Sequence, residues 1–361
     1  MTSRLFSPIA LDAVTVPNRI AVSPMCQYMA NDGSANDWHL MHYGQFSMGA
    51  AGLLIFEATH VAPEGRISHR CLGLYSDDNE AALKRVVDFC RSHGVAKLGV
   101  QLAHAGRKAS VHTPMEGGKP LGPKENPWTT LGPSALPFAP EWHVPEALSD
   151  DGLAMVKKQF ADAAVRAAHI GFDLVELHIA HGYLLHEFVS PISNQRKDRY
   201  GGSLENRMRF PLEVFEAVRS VLPKQMACGA RITGTDWIDG GITPDEMVAF
   251  AKELKSRGCA FVDVTSGQID PRQKIPFAPG YNVGFARRAK QEAGITAMSV
   301  GMITQAQQAE SIIAAGDADM VALARGAMDD PRWAWHAARE LGAETAYPRN
   351  YQRCHPSVWK P

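Results

Sequence analysis

Short apolar runs alternate with amphipathic stretches along the chain, and a glycine often stands between the two. These runs are hydrophobic on both faces, which is typical of buried strands in a parallel sheet. Eight strands are predicted: Ile20–Pro24, Leu53–Glu57, Lys97–Leu102, Phe172–Leu177, Ala227–Ile232, Phe261–Thr265, Thr296–Val300 and Met320–Leu323. Because they alternate with helices, we expect an α/β fold of the (β/α)8 type, a TIM barrel. An open doubly wound sheet is the alternative, but no G-x-G-x-x-G motif follows the first strand.

Capping signals mark the ends of the predicted helices. Thr243-Pro244-Asp245-Glu246 has the spacing of a capping box with proline at the first helical position. Thr304-Gln305-Ala306-Gln307 is predicted to form a second box. Glycine directly after a helix adopts the left-handed conformation at low cost. We expect this conformation at Gly94, Gly171, Gly258, Gly294 and Gly316.

Residues 105–149 interrupt the alternation, with eight prolines and no convincing helix or strand. Loops of this length inside a compact domain are usually functional. Because this one follows the third strand, we expect it to lie on the catalytic face as a wall or lid. Residues 1–18 are expected to close the other end of the barrel. No linker divides the chain, so residues 1–361 are predicted to form one domain.

Composition narrows the class of protein. The chain is 45% hydrophobic and 21% charged, and its formal net charge is −1. This balance provides no field for nucleic acid or an anionic membrane. No apolar stretch approaches 18 residues, and no signal peptide is visible. The six cysteines are scattered without a C-x-x-C pair, which argues against a disulfide framework or a zinc ribbon. A reduced cytoplasmic enzyme is expected.

The strongest chemical signal is the segment His178-Ile-Ala-His181-Gly-Tyr183, which follows the predicted strand Phe172–Leu177. Imidazole N–H groups can hold a substrate oxygen, and a phenol can deliver a proton. The carboxyl ends of barrel strands are where catalytic groups collect. We therefore expect both histidines and the tyrosine at the active site.

Polar groups also accompany other predicted strands. Ser23-Pro24-Met25-Cys26 ends the first strand with Tyr28 close behind, and Gln101 belongs to the third. Arg231 lies within the fifth strand, where a guanidinium must find an anion or a carbonyl because it cannot lose its proton. Ala324-Arg325-Gly326 ends the eighth strand, the usual place for a phosphate site in this fold.

A metal-dependent barrel hydrolase that uses His178 and His181 is one alternative. Zinc sites need three or four ligands, often including a carboxylate or a thiolate. Glu176 precedes His178 but is expected to point to the opposite face of the strand from its adjacent residues. No metal is therefore predicted.

Five motifs together resemble the Old Yellow Enzyme family of FMN-dependent ene-reductases, in particular its bacterial branch that includes xenobiotic reductase A. The likeness extends over nearly all of the chain. The motifs are SPMCQY at 23–28, EATHVAPEGR at 57–66, QLAHAGRKAS at 101–110, HIAHGYLLHEFVSPISNQR at 178–196 and DRYGGSLENRMRF at 198–210.

The resemblance implies non-covalent FMN at the carboxyl face of the barrel. It implies that His178 and His181 hold the substrate oxygen, that Tyr28 is a second substrate contact, and that Tyr183 donates a proton. In this branch an arginine near the C-terminus reaches the active site of the neighbouring subunit, and Arg353 is the candidate for this arginine. The implied assembly is a homodimer or a homotetramer. Cys26 is implied to tune the flavin. The implied FMN contacts are Ser23, Pro24, Met25, Cys26, Ala58, Gln101, Arg231, Gly301, Ala324 and Arg325.

The implied activity is reduction of the C=C bond in α,β-unsaturated carbonyl or nitro compounds. NADPH or NADH passes hydride to flavin N5, which passes it to the β-carbon of the alkene, and Tyr183 protonates the α-carbon. Two flavoprotein alternatives stay open: an enzyme like 2,4-dienoyl-CoA reductase, and a flavin-binding module without turnover. The first carries an iron–sulfur cluster, for which this chain has no clustered cysteines.

Overall fold

A computed structural model gives the architecture of the protein and describes residues 3–359. Its strands are β1 (Ile9–Leu11), β2 (Val14–Val16), β3 (Ile20–Val22), β4 (Leu53–His60), β5 (Lys97–Ala103), β6 (Leu131–Gly132), β7 (Glu146–Ala147), β8 (Leu174–Ile179), β9 (Ala227–Thr233), β10 (Val262–Thr265), β11 (Ala297–Val300) and β12 (Met320–Leu323). Its α-helices are α1 (Asp37–Ser47), α2 (Asp77–His93), α3 (Asp150–Ile170), α4 (Leu184–Val189), α5 (Leu204–Val221), α6 (Pro244–Ser256), α7 (Val283–Arg288), α8 (Ala306–Ala314), α9 (Arg325–Asp329) and α10 (Trp333–Glu340).

Eight parallel strands close into a barrel in the order β3-β4-β5-β8-β9-β10-β11-β12, with β12 pairing back to β3. The predicted (β/α)8 barrel is therefore confirmed, and each of the eight predicted strands forms. Their ends differ by up to three residues. β3 stops at Val22, so Ser23 and Pro24 lie in the loop, whereas β4 continues to His60. Nearly every barrel-strand residue is buried, as expected for a sheet covered by helices outside and filled by side chains inside.

A hairpin of β1 and β2 closes the amino-terminal end of the barrel. Leu11, Val14 and Val16 pack in one hydrophobic cluster with residues at the beginnings of the barrel strands, including Leu53 and Leu174. The expectation that residues 1–18 close this end is confirmed for the described residues; residues 1 and 2 lie outside them. The carboxyl ends of the strands are thereby left as the open face of the barrel.

Most of the predicted caps form. Thr243 and Glu246 make the capping box of α6, and Gly171, Gly258, Gly294 and Gly316 have positive φ angles. Two predictions were wrong. Gly94 has φ −91°, and its lack of a side chain is needed instead because an added Cβ would lie 2.6 Å from Ser47.

The second predicted capping box, at Thr304, does not form. Helix α8 begins only after Gln305, whose side chain makes no capping hydrogen bond. The Thr304 N–H donates instead to Gln308 Oε1 at 3.1 Å.

Residues 105–149 run across the carboxyl face. They contain two short 3-10 turns and the brief parallel pair β6–β7. The Arg107 N–H donates to Glu187 Oε1 at 2.8 Å, and Arg107 Nη2 donates to Ile269 O at 2.7 Å. The loop is thus tied to the segments that follow β8 and β10. Within residues 3–359, no helix is both long enough and apolar enough to cross a membrane.

Replacing Leu11 by alanine is expected to lower the free energy of unfolding by about 2–5 kcal/mol, because the side chain is 0% exposed and its loss leaves a cavity under the barrel. The control is Leu136→Ala, at a leucine that is 36% exposed, with a small expected change. Urea unfolding followed by circular dichroism measures both variants. Equal losses would show that the hairpin does not close the barrel.

Candidate active site

The segment after β8 brings three predicted site residues together. The ring centroid of His178 lies 5.2 Å from that of His181 and 5.0 Å from that of Tyr183, and both pairs are edge-on. His181 Nε2 is 3.0 Å from Thr265 Oγ1 at the end of β10. Three side chains from six consecutive residues therefore face the same space at the open end of the barrel.

This grouping depends on a tight left-handed turn. His181 has φ 59° and Gly182 has φ 72°, both in the left-handed region. Glycine adopts this region easily because it has no Cβ, whereas histidine does so at an energetic cost. Lys108 Nζ donates to His181 O at 2.8 Å and to Gln268 O at 3.0 Å. The Gly182 N–H donates to His186 Nδ1 at 2.8 Å. The turn is thus held by Lys108 from the long loop and by His186 from α4, and sequence reasoning did not identify Lys108.

Burial determines the protonation states of these three side chains. It lowers the pKa of His178 and of His181 well below the usual value, and the positive charge of Arg231 lowers both further. Both imidazoles are therefore neutral at pH 7. Burial also raises the pKa of the Tyr183 phenol, which keeps its proton. The segment offers neutral hydrogen-bond donors and a proton source.

Cys26 and Tyr28 lie near Tyr183 on the other side of this space. All three pack against a buried cluster formed by Ile67, Cys71, Ala105, Ala109 and Val111. Burial raises the pKa of the Cys26 thiol, with a smaller contribution from the charge of Glu57, so Cys26 is a neutral thiol. Tyr28 has φ 55°.

A cavity of about 490 Å³ opens beside His181 at the carboxyl ends of β9 to β12. The predicted residues that line it are Arg231, Gly301, Ala324 and Arg325. Gly301 has φ 131°, and an added Cβ would lie 2.9 Å from the Tyr281 ring. Arg325 is exposed and makes no side-chain hydrogen bond or ion pair with residues 3–359. The cavity therefore has a cationic group free to meet an anion.

Below the cavity, four polar side chains from β5, β8, β9 and β10 form what we call the inner charged layer: Gln101, Glu176, Arg231 and Asp263. Gln101 Nε2 donates to Glu176 Oε1 at 2.8 Å. Arg231 Nε lies 3.0 Å from Asp263 Oδ2. Glu176 and His178, two residues apart, both face the barrel interior. The sequence predicted two members of this layer and missed both acids as site residues.

The other predicted FMN contacts are Ser23, Pro24 and Met25, directly after β3, and Ala58 on β4. Ser23 is buried, and its N–H donates to Leu323 O at 2.9 Å. Pro24 and Met25 follow it, half-buried. Ala58 pairs with Gln101 where the β4–β5 register shifts. Arg353 is not brought to this site; it is exposed on the turn Arg349–Cys354, and its role toward a neighbouring subunit stays a prediction.

The site has the features that a flavin requires. Its volume is within the roughly 300–1,000 Å³ of typical ligand pockets. Ser23 Oγ and His178 Nδ1 are buried without a hydrogen-bond partner among the described residues, so a polar ligand would satisfy them. Within residues 3–359, no three or more His, Cys, Asp or Glu side chains are grouped to hold a metal ion. The residues present fit FMN better than a metal.

Comparisons with known proteins agree with this geometry. A model of the NADH:flavin oxidoreductase / NADH oxidase family matches residues 4–344. An NADPH dehydrogenase of Geobacillus sp. (strain WCH70) is 41% identical over 355 residues, which are 98% of this chain and 99% of that protein. Morphinone reductase in complex with tetrahydroNAD is 28% identical with a TM-score of 0.77, and the match covers 98% of this chain and 93% of that one.

2-Naphthoyl-CoA reductase has a TM-score of 0.84 at 23% identity, which shows a shared fold only. The match covers 93% of this chain and 52% of the reductase, so this chain spans about half of that protein. The roles of individual site residues stay predictions, whereas the predicted flavin and nicotinamide cofactors are confirmed. The chain belongs to the NADH:flavin oxidoreductase / NADH oxidase family and is an FMN-dependent oxidoreductase of the Old Yellow Enzyme type that takes its electrons from a nicotinamide.

Proposed function

We propose that the protein is an ene-reductase, which reduces the activated C=C bond of α,β-unsaturated carbonyl or nitro compounds. The observation that carries this proposal is the pair of neutral imidazoles of His178 and His181 beside the protonated phenol of Tyr183. The two imidazoles can donate hydrogen bonds to a substrate oxygen that gains negative charge, and the phenol can give a proton to a substrate carbon. The similarity to an NADPH dehydrogenase supports NADPH as the reductant.

The inner charged layer and the cavity are proposed to hold FMN. When bound, FMN supplies the redox chemistry by carrying a hydride from the nicotinamide to the substrate. Gln101 and Arg231 are placed to meet the polar edge of its ring, with Ser23 and Ala58 on neighbouring strand ends. The unpaired guanidinium of Arg325, beside Gly301 and Ala324, is placed for the phosphate.

The histidine pair is proposed to bind and polarise the substrate. In the reaction, negative charge develops on the carbonyl or nitro oxygen as hydride reaches the β-carbon. Two fixed N–H donors stabilise that charge without reorganising, and a buried site strengthens their effect. Neutral imidazoles suit this task because they donate hydrogen bonds but do not carry a buried positive charge. Tyr28 is proposed as a further contact to the substrate.

Tyr183 is proposed to protonate the α-carbon. Its phenol stays protonated because burial raises its pKa. Lys108 Nζ lies 5.1 Å from the centroid of the Tyr183 ring and 4.8 Å from that of Phe138, in the long loop 105–149. The loop thereby places the Lys108 amine, whose pKa burial lowers to about 7, beside the phenol ring, which supports the proposed role of the loop as an active-site wall.

We propose a cytoplasmic homodimer or homotetramer. The exposed position of Arg353 on the C-terminal turn supports contact with a neighbouring subunit.

Anaerobic spectroscopy tests the proposed function. The purified protein is expected to be yellow, to lose its visible absorbance when NADPH is added, and to regain it when cyclohexenone is added. A metal-dependent hydrolase would be colourless, and a flavin-binding module would be yellow but unaffected by NADPH. Recovery of absorbance with oxygen but not with cyclohexenone, a maleimide or a nitroalkene would refute ene reduction.

His178→Ala and His181→Ala are each expected to slow substrate reduction by roughly 100- to 1,000-fold, since each removes one donor from the developing oxyanion. Flavin reduction by NADPH should change less. Stopped-flow absorbance of the two half-reactions measures both effects. His169→Ala, at a largely exposed histidine on α3, is the control and should match the parent. Equal loss in both half-reactions would mean that the histidines bind nicotinamide as much as substrate.

Tyr183→Phe is expected to slow cyclohexenone reduction by pre-reduced enzyme about 100- to 10,000-fold, the usual contribution of a general acid. Flavin reduction by NADPH requires no proton from this phenol and should be nearly unchanged. Tyr28→Phe is the matched comparison, because it removes a second neutral phenol from the same cluster. A slow Tyr28 variant with a normal Tyr183 variant would transfer the proton donor to Tyr28.

A further inference from the structure

The inner charged layer contains two carboxyl groups but one cation. Glu176 and Asp263 are both 0% exposed, and Gln101 and Arg231 are nearly as buried. Arg231 cannot lose its proton inside a protein. If both acids were ionised, the layer would carry an unbalanced negative charge in a dry interior, which is strongly unfavourable. One of the two acids therefore retains a proton at neutral pH.

The contacts identify which acid this is. Asp263 Oδ2 lies 3.0 Å from Arg231 Nε. Burial raises the pKa of Asp263, and the adjacent positive charge of Arg231 opposes this and favours the anion. Glu176 has no ion-pair partner among the described residues and accepts one hydrogen bond from the neutral amide of Gln101. Oε2 of Glu176 and both carboxylate oxygens of Asp263 make no hydrogen bond there, so the ion pair of Asp263 is what distinguishes the two acids. Burial, and then the charge of Asp263, raise the pKa of Glu176 to about 8, while Arg231 and Gln101 oppose this. Glu176 is thus neutral below about pH 8 and ionised above it.

We propose that Glu176 is a redox-linked proton site, which takes up a proton from solvent when the flavin is reduced at alkaline pH. This inference rests on the FMN position given under the proposed function. Gln101 and Arg231 separate Glu176 from that position, so negative charge added to the polar edge of the ring lies close to the carboxylate. A nearby negative charge favours the protonated acid.

The balance of the step is simple. Two electrons and one proton arrive together as the hydride that leaves the nicotinamide. The second proton comes from solvent and forms an O–H bond on Glu176, and no bond in the protein breaks. Above about pH 8, reduction therefore consumes one proton more than the hydride brings. Below that pH, Glu176 already holds its proton and adds nothing.

The other groups around Glu176 do not titrate in this range. The guanidinium of Arg231 on β9 faces Asp263 on β10 at 3.0 Å. Burial raises the pKa of Asp263, and the charge of Arg231 opposes this. His178, the next inward residue on β8, is neutral because its pKa is well below 6.5. Burial raises the pKa of the Cys259 thiol, which precedes β10, so this group stays protonated. Gln101 on β5 carries no charge.

The test measures the flavin midpoint potential of the holoenzyme between pH 7 and 9.5 by dye equilibration, without any alkene. For a two-electron couple, each proton contributes ~30 mV per pH unit. The parent is expected to change from ~30 mV per pH unit below pH 8 to ~59 mV above it. Glu176→Gln should keep ~30 mV throughout. Glu187→Gln, at a second buried acid with a raised pKa but on α4, is the matched control and should behave as the parent.

Identical slopes for the parent and Glu176→Gln would overturn the proposal. If Glu176→Gln does not retain FMN, the infrared difference spectrum of the parent between its reduced and oxidised forms at pH 9 gives a second measurement. A new protonated-carboxyl band on reduction supports the proposal, and its absence contradicts it. Because no alkene is used, an enzyme that shows the slope change but reduces none of cyclohexenone, a maleimide and a nitroalkene refutes the proposed function alone.

Discussion

The buried guanidinium of Arg231 is the constraint on which the rest of the site depends. It lies 6% exposed inside a closed barrel and keeps its charge under all conditions. Asp263 balances it on one side, and the cavity lies on the other. Its charge also lowers the pKa values of His178 and His181, which helps to keep both imidazoles neutral. One fixed charge thereby shifts, in addition to the effect of burial, the pKa values of groups on β8, on the turn after it and on β10.

The second constraint is backbone conformation. His181 can stand beside His178 and Tyr183 only because the chain reverses through two left-handed residues. Such a turn has an energetic cost for histidine and persists when its surroundings hold it. Lys108 supplies two hydrogen bonds to backbone carbonyls, and His186 accepts one from Gly182. The long loop after β5 is therefore part of the framework that holds the candidate site.

Some properties of this chain are those of its family, and others depend on its own side chains. The flavin, the nicotinamide reductant and the barrel follow from similarity over nearly the whole length. Cys26, Tyr28 and aromatic residues of the long loop pack against one buried cluster beside Tyr183, and the proposed choice of substrate would depend on these side chains.

The order of strands and helices could be predicted from the sequence because hydrophobic periodicity is local. The same holds for the capping box at Thr243 and for the residues at strand ends that face the open end of the barrel. The resemblance added the cofactor and its contacts. The error at Gly94 has a non-local cause: this glycine allows a close approach to Ser47, which lies 47 residues away in the chain and which no pattern around Gly94 reports.

Only the tertiary structure decided how the site is charged and held. Glu176, Asp263 and Lys108 have no distinctive sequence spacing, and their roles come from partners on other strands and loops. A carboxyl group keeps or loses its proton according to burial and the charges around it, which depend on contacts between distant segments. The sequence therefore determined which groups reach the open end of the barrel, and the packing of the barrel determined which of them carry charge.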